Sequence, residues 1–139
     1  AMEDLAGPGV RPEVYEFAAD DMVSCKSCLR IFRRKYPDER IALLSSNGSS
    51  AQHLLVALKE LGLVPGYDFG FCTFDDWNWL QISRPGVSAV ALATVDIGAK
   101  SAELLLERIS GERPANARAV NIELPSHFVI RESTPAQTV

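Results

Sequence analysis

The residues best equipped for chemistry fall into three small groups. Ser45, Ser46 and Asn47 follow the apolar run 41–44, and Asp75 and Asp76 follow the strand-like stretch 68–74. A carboxylate accepts two hydroxyl hydrogens and a side-chain amide both donates and accepts, so Asn47 and Asp75 suit a small polar ligand. Either could instead cap the helix that follows it. Asp76 reads as a cap or a surface charge. Cys25 and Cys28 form the third group, and a Cys-x-x-Cys pair can carry a redox disulfide or half a zinc site. The chain has no second cysteine pair, and His53 and His127 stand at no ligand spacing. The two thiols are therefore expected to be buried and apolar, with no metal and no cofactor. The Arg33-Arg34-Lys35 run reads as a solvated helix end, and His127 as a surface strand residue.

Elements must position these groups. Residues 13–17 alternate with period two, as a short strand does. From Ser24, Cys25, Cys28, Leu29, Phe32 and Tyr36 recur at helical spacing, ending at Pro37-Asp38 with basic residues at the negative pole. The run 41–44 is a buried strand between turn signals. Ser49 or Ser50 is expected to cap the next helix, whose inner face is Ala51, Leu54, Leu55, Leu58 and Leu61, and Gly62 stops it. Strands are expected at 68–74 and 87–91, with an irregular segment at 77–84. Thr94 is expected to cap a long helix with Val95, Gly98, Ala99, Ala102, Leu105, Leu106 and Ile109 on one face, closed by Gly111. Residues 120–124 and 128–130 read as two final strands, and 131–139 as a frayed polar tail. This alternation predicts an α/β domain in three layers with a mostly parallel sheet. Ligands in such sheets sit beyond the carboxyl ends of the strands, where Asn47 and Asp75 fall.

Bulk composition narrows the function. The 139 residues make one domain with a core, and 47% hydrophobic and 23% charged residues are ordinary for a globular protein. A net charge of -4 supplies no basic field for nucleic acid, so DNA binding by this chain is not expected. No apolar run approaches the ~20 residues of a membrane span. The opening AMEDLAGPGV lacks a signal peptide's basic start and apolar stretch, and Ala1 ahead of Met2 reads as a cloning remnant. Three cysteines without an export signal suggest reduced thiols and a cytoplasmic protein.

Over about residues 20–134 the sequence resembles the LacI/GalR family of transcription regulators. The family's strand followed by Ala-Asn-Asp is matched by Leu43-Leu44-Ser45-Ser46-Asn47-Gly48, and its Glu-x-Gly-Leu helix end by Glu60-Leu61-Gly62-Leu63. Its Gly-Phe-Asp-Asp strand end is matched by Thr73-Phe74-Asp75-Asp76, and its Pro-Gly-Val-Thr-Thr-Val by Pro85-Gly86-Val87-Ser88-Ala89-Val90. Gly98, Leu105 and the close Val129-Ile130-Arg131-Glu132-Ser133 complete an ordered series. Each landmark is weak alone; their order and spacing are specific.

The resemblance implies one incomplete lobe of a type I periplasmic-binding-protein-like fold. It implies a leader at 1–12, a lobe core at 13–92, a helix at 93–112 that crosses to the other lobe, and terminal strands and tail at 113–139. The family's headpiece, hinge helix and first lobe would precede this chain, and residues 2–5 match only the end of a helix. The implied function is binding a sugar or sugar-acid effector, with DNA contacted only through the headpiece, and no enzymatic activity. The family's sugar contacts map to Asn47 and Asp75. A third contact falls in the loop 18–22, with Asp21 as its candidate. Trp77 could stack on a sugar ring, and the Trp77/Trp79 pair is like that of members sensing sugar acids. A homodimer seam is implied for Gln52, Val56, Trp79 and Ile82. Gly48 departs from the family's Asp, and Leu92 stands where a Gln often reaches the effector. Two rivals are the lobe of a sugar solute-binding protein of a transport system, separable by the upstream reading frame, and a thiol oxidoreductase using Cys25 and Cys28.

Overall fold

The computed structural model describes residues 12–18, 21–39, 41–114 and 116–134. The match at 2–5, loop residues 19 and 20, and tail residues 135–139 lie outside the described residues. Asp21 sets the start of the first helix, α1 (Met22–Lys35), because its carboxylate accepts the Ser24 amide at 2.9 Å. Arg33, Arg34 and Lys35 close that helix at its negative pole. Cys25 and Leu29 point into the core, whereas Cys28 is only half-buried, so the expected pair of buried thiols reduces to one. Burial pushes the Cys25 thiol up from its ordinary range, which keeps it protonated.

Strand β1 (Ala42–Ser45) leads to α2 (Gly48–Glu60), β2 (Gly70–Phe74), the short α3 (Asn78–Ile82), β3 (Ser88–Ala91), α4 (Thr94–Ile109) and β4 (His127–Val129). The sheet runs β1-β2-β3-β4, with β1, β2 and β3 parallel and β4 antiparallel to β3. This is an open, mostly parallel sheet with helices, as the alternating periodicities predict. Its core joins Cys25 and Leu29 to Ala51, Leu54 and Leu58 of α2 and Phe71 and Ala89 of the sheet. Leu80 of α3 is also fully buried, so the stretch expected to be irregular is a helical turn anchored in the core.

Other expectations change for physical reasons. Residues 13–17 form no strand, because no strand lies beyond β1 among the described residues to offer them a ladder. They lie instead along α1, with the Tyr15 ring edge-on to Phe32 at 5.6 Å. Residues 120–124 likewise pair with no strand among the described residues, and of the two expected final strands it is 127–129 that reaches β3. The α2 cap is Asn47, not Ser49 or Ser50, because Asn47 alone has the extended backbone that aims its side chain at the Ser50 amide. Thr94 is the first residue of α4 and caps nothing; Ala93 precedes it without a side-chain bond. Gly62 turns out of α2 at φ 68°, where a glycine is expected.

Glu13 ties the leader to α1. Its carboxylate accepts from Lys35 Nζ at 2.6 Å, from the Tyr36 hydroxyl and from the Tyr15 hydroxyl at 2.8 Å. These donors, Lys35 first, lower its pKa from 4.5 to about 2. A lowered folded pKa means the tether is intact above about 4.5 and is lost as pH falls toward 2. An NMR titration of the Glu13 carboxyl carbon should show that low midpoint, with the Tyr15–Phe32 contact loosening alongside. A midpoint near the ordinary value would remove the tether.

Candidate ligand-binding site

The carboxyl ends of β1 and β2 bring three of the sequence-predicted residues to one edge of the sheet. Asn47 follows β1 with its backbone extended and its side chain exposed. Its Oδ1 accepts the Ser50 amide at 2.9 Å, and its Nδ2 donates to Ser46 Oγ at 3.3 Å. Asn47 therefore is a helix cap, and an amide nitrogen carries two hydrogens, so one remains for a ligand. Ser45 below it is buried, with its hydroxyl between the Asn47 carbonyl and Ser50 Oγ, which fixes the turn.

Asp75 is different. It follows β2 in the left-handed region at φ 67°, partly exposed, and its amide donates to the Val90 carbonyl at 3.1 Å. Its carboxylate takes no hydrogen bond among the described residues, and it caps nothing, since α3 starts after Trp77 without a side-chain cap. The capping alternative for Asp75 thus falls away. Asp76 is a surface charge, as expected, and not a cap: it is exposed, and both of its oxygens receive Arg131, at 2.8 and 2.9 Å.

Trp77 lies across the start of α2. A Cβ built on Gly48 would sit 2.9 Å from the indole Nε1, closer than any side chain tolerates. The glycine that departs from the family pattern therefore leaves room for Trp77, which stays 54% exposed beside Asn47. Asp21 is not joined to this group by any hydrogen bond. Its carboxylate is occupied by the Ser24 hydroxyl and amide, which hold its pKa below the usual range. Leu92 follows β3 and is partly exposed.

Of the residues expected at a subunit seam, Gln52 and Val56 are exposed on α2 and Ile82 at the end of α3. Trp79 is half-buried against the core and offers less free surface. No group of three or more His, Cys, Asp or Glu side chains among the described residues is arranged to hold a metal ion. No helix among them is long and apolar enough to cross a membrane.

Residues 131–134, expected to fray, form a structural unit instead. Arg131 reaches Asp76 and the Val87 carbonyl, the Glu132 carboxylate accepts the Gly86 amide at 2.9 Å, and Ser133 is fully buried between β2 and β3. Gly66 is needed beside it: at φ 83° a Cβ there would stand 2.1 Å from the Glu132 carbonyl oxygen. The only signal for this unit in the sequence was its place as a family landmark, since local pattern reads it as a polar tail.

Residues 4–134 match the model of the periplasmic binding protein-like domain family. The chain is 31% identical over 120 residues to the HTH-type transcriptional regulator KdgR of Bacillus subtilis, covering 86% of this chain and 34% of that protein. It is 30% identical over 130 residues to the HTH-type transcriptional regulator PtxS of Pseudomonas putida, covering 94% of this chain and 36% of the relative. It thus spans about a third of the length of these curated relatives. Among solved structures, a LacI family transcriptional regulator from Arthrobacter sp. FB24 in complex with lactose superposes with a TM-score of 0.66 at 25% identity, over 84% of this chain and 43% of that one. A CelR–cellobiose complex gives 0.65 at 25% identity over 81% and 33%.

Proposed function

The chain belongs to the periplasmic binding protein-like domain family, and its likeness lies with the effector domains of LacI-type regulators; on that premise we propose that it forms one wall of a pocket for a small sugar or sugar acid. The carrying observation is Asp75, a carboxylate at a strand's carboxyl end that has no partner among the described residues. An ionised carboxylate left unpaired is suited to accept two vicinal hydroxyls. Asn47 adds the amide hydrogen that its capping role leaves over, and Trp77 offers an apolar face for a sugar ring. Asp21 is the weakest of the four, because Ser24 already uses its oxygens. The lactose and cellobiose bound by two similar regulators support a carbohydrate over other small polar ligands.

In the whole protein this wall would serve a cytoplasmic transcription regulator rather than an enzyme. DNA would be met by a separate segment, and two copies would associate through Gln52, Val56, Trp79 and Ile82. Calorimetric titration of the chain with lactose, cellobiose, ribose and gluconate tests the site. One wall supplies part of the hydrogen bonds, so millimolar affinity, about 4 kcal/mol, is the most to expect. Asp75→Asn should weaken whatever binds by about tenfold, the loss of one charge-assisted bond. Micromolar binding by the chain alone would contradict the one-wall reading. Binding indifferent to Asp75→Asn would place the ligand elsewhere.

A further inference from the structure

We propose that Arg131 is a positioning residue for Asp75, acting through Asp76 to hold the preceding residue in its left-handed conformation. The inference rests on the reading of Asp75 as a ligand contact. A non-glycine residue at positive φ persists only where its surroundings over-determine it. Asp75 stands at φ 67°, so something on each side must restrain it.

On the amino side the restraint is the sheet. The Phe74–Val90 pair ends the β2–β3 ladder, and the Asp75 amide continues it to the Val90 carbonyl at 3.1 Å. On the carboxyl side, ψ of Asp75 is set by where residue 76 is taken, and Asp76 is gripped by the guanidinium fork. Nη1 reaches Oδ1 at 2.8 Å and Nη2 reaches Oδ2 at 2.9 Å, a bidentate geometry that fixes orientation as well as distance.

The fork is itself anchored. Arg131 Nη1 also donates to the Val87 carbonyl at 2.7 Å, its backbone amide donates to Ser88 Oγ at 2.8 Å, and its side chain is 16% exposed. Both restraints on Asp75 thus lead back to one strand, the amide directly and Asp76 by way of Arg131. An isolated exposed ion pair contributes little, but this one is bidentate, its Arg131 side chain is mostly covered, and it is part of a network. Its consequence is local: it keeps the Asp75 carboxylate at one place on the sheet edge without bonding to that carboxylate, which stays free for a ligand.

Two-dimensional NMR on the 139-residue chain reads this directly. Positive φ brings the amide and α hydrogens of one residue unusually close, so Asp75 should show a strong intraresidue cross-peak. In Arg131→Gln that cross-peak should weaken and Asp75 amide exchange should rise by at least about tenfold, because the two charge-assisted bonds of the fork to Asp76 are lost. Arg131→Lys, which keeps the charge without the fork, should fall between the two. Asp76→Asn, nearly isosteric, should move Asp75 in the same direction and carries the measurement if Arg131→Gln does not fold. An Asp75 cross-peak and exchange rate unchanged in Asp76→Asn and in the folded Arg131 variants would overturn the proposal, whatever the loss of melting temperature. Altered Asp75 signals with undiminished affinity for lactose, cellobiose, ribose or gluconate would leave the positioning role standing and remove the ligand role of Asp75.

Discussion

Light scattering at micromolar concentration should find the 139-residue chain associated with itself. The reason is α4, a 16-residue helix with no buried residue. Val95, Leu105, Leu106 and Ile109 are 82%, 58%, 63% and 73% exposed, and all belong to the face predicted from helical spacing. Burying such side chains is worth about 1.5–3 kcal/mol each, so covering the four would contribute up to about 6–12 kcal/mol. That is comparable with the stability of a whole domain, about 5–15 kcal/mol. The helix does not fold back onto its own sheet, as its exposure shows, so the face invites a second copy. Pairing across the same face or exchange of the helix would both cover it. Leu105→Glu with Leu106→Glu should remove the association that runs through α4 and leave the fold intact. A monomer of the unaltered chain would mean the face stays wet at tolerable cost, and the association argument would fail.

Ser133→Ala should be the most damaging single substitution outside the apolar core. The Ser133 hydroxyl accepts from the Ser88 amide at 2.8 Å and donates to the Phe71 carbonyl at 2.5 Å, in a position closed to water. Its own backbone closes the same seam, donating to the Gly86 carbonyl and accepting from the Phe71 amide, both at 2.9 Å. The residue splices the amino ends of β2 and β3 together, where their direct ladder has not begun. Alanine would strand one donor and one acceptor in the interior. At about 1–3 kcal/mol for each unsatisfied group, the expected loss is about 2–6 kcal/mol. Urea unfolding followed by circular dichroism measures it, with Ser110→Ala, an exposed hydroxyl on the Glu107 carbonyl, as the near-neutral comparison. A midpoint for Ser133→Ala equal to that of Ser110→Ala would show that the splice is dispensable.

The positions of Asn47 and Asp75 were legible because each follows an apolar strand, and residues after strands fall at the sheet's carboxyl edge whatever the rest of the chain does. What each side chain does there was not legible. Asn47, Ser49 and Ser50 are all good capping residues within four positions, and only backbone conformation chose Asn47. Asp75 and Asp76 are the same residue type in succession, yet among the described residues one carboxylate is unbonded and the other is held by a guanidinium 55 positions away. Nothing in a local window distinguishes them.

The same division runs through the fold. Periodicity by itself determined α1, α2, α4 and the three parallel strands, because burying one face of a helix or strand constrains residues only a few positions apart. Gly62 was readable for the same reason, as a local backbone requirement. Tertiary structure alone decided that 13–17 and 120–124 are not strands, since a strand exists only with a neighbour to bond. It also decided that 131–134 is a splice around the buried Ser133 instead of a tail. A short polar sequence looks alike in solvent and in a seam; whether its hydrogen bonds go to water or to Phe71, Gly86 and Ser88 depends on what packs around it.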